Sequence, residues 1–372
     1  MLTLHSVLKS GAQYADWDAF PPQVFSERLA RVRAAVAASG DDAWLVYGDA
    51  QHDGDLAFLT HFPTRQRGSL LLLRPSGEPV LLAAVGSRDI PASKLLTFVS
   101  DMRPYSRLVD ALPKLLAAEG LDAARIGLVA VRDALAIAEW DALRHALPNV
   151  TWAFRDDAFA PLRRIADPVL AAGVARAAAV AEAGLHRAAE VIVPGAVLRA
   201  AAAEIERTLR RAAAEDVRIL VGSARGGGVL HPPDDRRLAN DDGVLVFVAV
   251  VVQRCWAEAG RTLLLGSPPE PVRALERRAD AAVDAMAAAL GPGETAGALW
   301  DAAARVLDAA QLRSAGAYGL GHGIGLDADE APAILPGSTE TFGGCAGIAL
   351  HAVVRNDDGG ALAARTLAGP RA

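Results

Sequence analysis

Four glycines at alternate positions in one short stretch constrain this chain more than anything else in it: Gly319-Leu320-Gly321-His322-Gly323-Ile324-Gly325-Leu326-Asp327-Ala328-Asp329-Glu330-Ala331-Pro332. A backbone without side chains at every second residue can run extended and approach a ligand or a neighbouring strand closely. One imidazole stands among the glycines, and carboxylates and a proline follow directly. That is the composition of a site, not of a hydrophobic core. A nucleotide loop is the other common use of clustered glycines, but it follows a strand, opens a helix and keeps the order GxGxxG or GxxxxGKS/T. Here no Lys-Ser/Thr follows, and a helical pattern precedes the stretch.

At 372 residues the chain exceeds what one compact core usually holds, so two domains are expected. Net charge is -6 and no Lys/Arg block stands out, which argues against a nucleic-acid partner or an anionic membrane surface. The longest plainly apolar run, Val244 to Val252, is too short to span a bilayer and reads as a buried strand. Residues 1–9 lack the pattern of a secretory signal. Cys255 and Cys345 are isolated, without CxxC spacing, so neither a disulfide framework nor a thiolate zinc site is indicated. A cytoplasmic location is expected.

In chain order, residues 1–18 read as an extension. Phe25, Leu29, Val32 and Val36 recur at helical spacing up to the stop Gly40-Asp41-Asp42. Strands follow at 43–47, 69–74, 79–82, 125–131 and 150–154, with helices near 108–118 and through His145, making an α/β unit of 19–160. Charge and proline collect from Asp156 to Asp167, the expected linker, before Pro168 opens a long helix. The remainder, 161–372, reads as α+β. It has helices at 169–191, 198–214, 271–290 and 295–312, strands at 217–221, 244–252, 256–265, 347–354 and 359–365, and a glycine-rich loop at 222–228 delivering His231.

The glycine stretch resembles the signature GHGIGLxxHExP of the pita-bread hydrolases: prolidase, aminopeptidase P, methionine aminopeptidase and the metal-free amidinohydrolase creatinase. The resemblance extends over roughly residues 20 to 367. It implies a creatinase/prolidase-like amino-terminal α/β domain, a carboxy-terminal pita-bread α+β domain, and a homodimer. Asp329 departs from it, standing where the family has a second histidine. Family members carry an aspartate on each of two paired strands, eleven positions apart, shortly before an Arg-Thr. Counted back from Arg261-Thr262, these positions hold Phe247 and Glu258. His351 takes the place of a ligand glutamate, and Ala364 replaces the last one.

A dinuclear metal site is therefore not expected, since Phe247 and Ala364 offer no electron pair. Glu258, His322 and His351 map to ligands of the other metal, and two imidazoles with one carboxylate suit a single Zn or non-haem Fe ion, with Mn as a further divalent option. His231 resembles the family's proton-transferring histidine, and an imidazole can serve as general acid or base. Glu330 is a further candidate catalytic carboxylate. The expected function is hydrolysis of an amide or other C–N bond in a small molecule or short peptide, distinct from standard Xaa-Pro cleavage. Two alternatives stand beside it. One is metal-free, creatinase-like C–N hydrolysis centred on His231, although creatinase's glutamates correspond to Gly260 and Ala364, which disfavours creatine itself. The other is a non-catalytic protein that binds a peptide or partner. Arg65 and Arg67 read either as a solvated basic turn or as residues lent to a neighbouring protomer's pocket.

Overall fold

The computed structural model describes residues 13–64 and 67–369. The expected extension therefore lies mostly outside the described residues, as does Arg65. The chain divides between Arg164 and Ile165 into two compact units.

The first unit is built on a six-stranded sheet with strands β1 (Ala43–Gly48), β2 (Ser69–Leu73), β3 (Val80–Ala83), β4 (Asp101–Pro104), β5 (Arg125–Val129) and β6 (Thr151–Phe154) in the order β4-β3-β2-β1-β5-β6. β2 pairs antiparallel with β1 and β3, while the β1–β5, β5–β6 and β3–β4 pairs are parallel. Every residue of β1, β2 and β3 is buried, which is why these strands read as unbroken apolar runs. The helix Pro22–Ser39 ends at Gly40 in a left-handed conformation (φ 70°), as the stop signal requires. Two elements carry no strong periodic signal, the short helix Gly54–Thr60 and the four-residue β4. The expected linker is in part a helix, Asp156–Arg163. Asp156 and Asp157 lie in its first turn, where carboxylates favour the helix end, and Phe159 is buried edge-on against Phe58.

The second unit contains one antiparallel sheet of seven strands in the order β11-β10-β12-β13-β9-β8-β7. They are β7 (Asp216–Ser223), β8 (Gly243–Val252), β9 (Cys255–Leu264), β10 (Gly321–Ile324), β11 (Glu330–Ala333), β12 (Gly347–Asn356) and β13 (Gly359–Ala368). Ile348, Leu350, Ala352 and Val354 of β12, with Ala361 and Ala363 of β13, pack into one core with Leu275, Val283 and Met286 of the helix Glu270–Ala289. Alternation sends the residues between them to the other face, which carries the chemistry. The helix Pro168–Val191 is long and apolar enough to cross a membrane, but a face running from Leu170 to Ala188 is buried in the fold, as in a core helix. The single helix expected at 295–312 is two, Ala296–Ala304 and Ala309–Tyr318. Asp308 starts the second with a capping box, accepting from the Gln311 backbone while the Gln311 side chain accepts from its own.

Candidate functional site

Register brings the site together. Phe247 pairs with Gly260, Gly260 with Ala364, and Ala364 with His351, one row across β8, β9, β13 and β12. One step along, Ala249 pairs with Glu258 on β9, and Thr366 of β13 pairs with Ala349, which pairs with His322 on β10. Residues two apart on a strand share a face. Glu258, His322 and His351 therefore project from the same side of the sheet although 93 residues separate the first from the last.

The glycine strand is built for close approach. Gly321 has φ 141°, and a Cβ there would stand 2.1 Å from the Ala349 carbonyl oxygen, so only glycine allows β10 to lie against β12. The Trp256 N–H donates to Gly325 O at 2.7 Å and ties the end of the stretch to β9. Glu330 turns its carboxylate back on the same turn, accepting from the Asp327 N–H at 3.0 Å. His322 Nδ1 lies 2.8 Å from Gly323 O. A carbonyl only accepts, so Nδ1 carries the proton and Nε2 keeps its lone pair. Asp329 is 84% exposed, with Oδ1 3.8 Å from His322 Nδ1, beyond a hydrogen bond.

Donor atoms of Glu258, His322 and His351 lie within 4.8 Å of one another. The two imidazole rings meet edge to face with centroids 5.5 Å apart. Glu258 is 8% exposed, and its Oε1 is 2.8 Å from His351 Nδ1. Thr366 holds the backbone of Glu258 from both sides: its Oγ1 accepts from the Glu258 N–H and donates to the Glu258 carbonyl, each at 2.8 Å. Sequence reading missed Thr366, because nothing marks it until β13 is laid against β9.

Three donors of this type fit one divalent ion. Two ligands of a tetrahedral ion held at 2.0–2.1 Å stand about 3.3 Å apart. The Glu258–His351 pair needs to open by only about half an ångström to serve. Ala364 belongs to an apolar cluster with Leu245, Val353 and Leu362, on which Phe247 and Leu230 are packed. His231 is not part of the donor group. Its backbone bridges Val221, and its Nδ1 donates to Pro232 O at 2.8 Å, which leaves the lone pair on Nε2.

A mixed α/β unit followed by an antiparallel sheet with a histidine–carboxylate group on one face defines a two-unit protein with a candidate metal-binding group. Residues 172–348 match metallopeptidase family M24, and residues 28–165 match the creatinase/prolidase N-terminal domain. The chain belongs to this prolidase- and creatinase-like pita-bread family, whose members typically use divalent metals, and by family it is a peptidase-like hydrolase. Among solved structures, an X-Pro aminopeptidase from Thermotoga maritima MSB8 is 18% identical with a TM-score of 0.81, covering 92% of this chain and 95% of that one. A prolidase from Pyrococcus horikoshii OT3 is 18% identical with a TM-score of 0.78 over the same shares. The dipeptidase PepE from Mycobacterium ulcerans is 23% identical with a TM-score of 0.76, covering 95% and 97%. No curated protein sequence matches the chain.

Proposed function

We propose that the protein hydrolyses an amide or other C–N bond of a small molecule or short peptide, using one divalent ion held by Glu258, His322 and His351. The observation that carries this reading is the convergence of the three donors within 4.8 Å on one sheet face. When bound, Zn, Fe or Mn would supply Lewis acidity toward water and the scissile carbonyl. The chain's own groups do the rest. The Nδ1–H of His322, held by Gly323 O, fixes that ring with Nε2 inward. Thr366 fixes the backbone from which Glu258 projects. Phe247 and Ala364 make standard dinuclear Xaa-Pro cleavage an unsuitable expectation. We take the location to be cytoplasmic, in keeping with the absence of CxxC spacing around the two buried cysteines, Cys255 and Cys345. Light scattering tests the homodimer that the resemblance implies.

The experiment is metal analysis of untagged protein, together with Glu258→Ala and His351→Ala, alongside a screen of short peptides and amides with and without chelator. About one equivalent of metal, lost in both variants, with chelator-sensitive turnover, is expected. No metal after reconstitution would refute the reading.

One observation favours a second, metal-free reading: the 2.8 Å contact between His351 Nδ1 and Glu258 Oε1. A carboxylate that accepts Nδ1–H leaves Nε2 as a base able to take a proton from water. Turnover that survives chelator and vanishes in His351→Ala would establish it.

A further inference from the structure

The first unit holds a small cavity whose walls bring together three hydroxyl-bearing residues, Thr64, Ser69 and Ser93, with Phe62, Val85 and Leu96. All three are more than nine-tenths buried. They come from separate segments: Thr64 follows the helix Gly54–Thr60, Ser69 opens β2, and Ser93 ends the helix Ile90–Ser93. Thr64 Oγ1 is buried and meets no hydrogen-bond partner among the described residues. A buried hydroxyl left in this way destabilises the fold, so it marks a place where a further group completes the structure. The space open to the centre of a water-sized sphere is about 20 Å³, enough for one ion or one water and for no organic molecule.

What the walls offer is oxygen lone pairs. The Thr64 N–H donates to Asp53 Oδ2 and the Phe62 N–H to Thr60 Oγ1, each at 3.1 Å. The Ala84 N–H donates to Gly68 O at 3.3 Å and the Val85 N–H to Ala83 O at 2.8 Å, so these backbone donors are already engaged. Among the described wall residues there is no lysine, arginine or histidine. Negative charge stands close behind the wall instead. Asp53 lies against the Thr64 amide, and Asp89 is four residues, about one helical turn, before Ser93. Asp89 Oδ1 is 3.7 Å from Arg88 Nε, while its Oδ2 is buried with no hydrogen-bond partner among the described residues. An anion placed here would face lone pairs and carboxylates, whereas a cation is attracted by both.

We propose that this cavity binds one alkali cation, sodium or potassium, held by the hydroxyl oxygens of Thr64, Ser69 and Ser93. A hydroxyl oxygen has two lone pairs and suits a hard ion. Calcium takes carboxylates as direct ligands, and magnesium is bound through one or two of them; here the wall itself is neutral, which matches a single charge. The ion joins the loop after the helix Gly54–Thr60 to the sheet at Ser69 and to the helix Ile90–Ser93. Its effect is therefore on the stability of the first unit, independent of the Glu258, His322 and His351 group in the second.

The test compares thermal unfolding of the full chain in sodium, potassium and choline chloride at equal ionic strength, for the wild type, Thr64→Val and Ser93→Ala. An ion that binds only the folded state raises the melting temperature by mass action, so sodium or potassium should raise that of the wild type by at least about 2 °C over choline. The salt that gives the larger rise identifies the ion. Thr64→Val keeps the shape of the side chain and removes the unpaired hydroxyl, and it should show no rise in either alkali salt. Ser93→Ala should show a reduced one. Equal melting of the wild type in all three salts would overturn the proposal and leave the cavity to water. So would a rise in Thr64→Val as large as that of the wild type, which would put the ion elsewhere. Should Thr64→Val fail to fold, an undiminished rise in Ser93→Ala would overturn it instead.

Discussion

His351 Nδ1 and Glu258 Oε1 meet at 2.8 Å across an intervening strand, β13, which puts only the methyl group of Ala364 directly opposite His351. The contact brings two strands that are not neighbours into one chemical unit. What holds Glu258 in place is therefore as important as Glu258 itself.

Thr366→Val keeps the shape at that position and removes both hydrogen bonds to the Glu258 backbone. Affinity for the proposed metal ion should fall about 10-fold or more, as for loss of a group that orients a ligand, while the fold is retained. Competition with a calibrated chelator measures it, and circular dichroism checks the fold.

Gly321→Ala forces a methyl group to within 2.1 Å of the Ala349 carbonyl oxygen in a left-handed-side conformation, φ 141°. The expected cost is at least about 2 kcal/mol. Because β10 carries His322, metal binding should weaken together with thermal stability. A variant that loses neither would show that β10 tolerates displacement from β12.

Acid stability of the first unit should depend on Asp41. Burial alone would raise the Asp41 carboxyl, but hydrogen bonds from Arg155, Trp44 and Ser39 and the charge of Arg155 outweigh it and hold the pKa below the ordinary value. Arg155 Nε and Nη2 reach it at 2.7 and 2.8 Å, and Arg125 Nε at 3.0 Å. A carboxyl whose folded pKa is depressed contributes stability that is complete above the unfolded value, near pH 4, and is lost as pH falls through the folded value. Asp41→Asn should therefore lower the melting temperature at neutral pH, by about 2–3 kcal/mol of stability, and should flatten the decline below pH 4. Calorimetry from pH 7 to pH 2.5 reads both effects, and parallel curves for the two proteins would contradict the assignment.

In the second unit, Glu215 and Arg254 form an ion pair whose side chains are 1% and 6% exposed. Glu215→Gln leaves the guanidinium with no carboxylate in that pair. A loss of roughly 3 kcal/mol is expected from the shift of the denaturation midpoint in guanidinium chloride.

Much of this was legible in the sequence wherever a pattern is local. The glycines of 319–325 announced an extended, closely packed strand, and β10 is that strand. The eleven-residue count from Phe247 to Glu258 identified two positions that the structure sets on the same face of a hairpin, one apolar and one carboxylate. Harder to read were features that depend on distant partners. Nothing in the run Gly347 to Val354 says that β13 will lie between His351 and Glu258, so neither their contact nor the role of Thr366 could be read. The helix Asp156–Arg163 within the expected linker was not read, because its one buried anchor, Phe159, meets Phe58 about a hundred residues away. The break between Ala304 and Ala309 did have a local mark, the Asp308 and Gln311 capping pair, which the alanine-rich surroundings obscured.

The small residue at 364 and the histidine at 351 depend on one another. A glutamate there would rise from β13 directly opposite His351, in the space through which the imidazole reaches Glu258. A glutamate introduced at 364 alone would crowd the histidine out of its contact, and one introduced at 351 alone would replace that contact with a carboxylate pair that only a bound cation could hold together. In mutational terms the histidine at 351 and the alanine at 364 are therefore a single character.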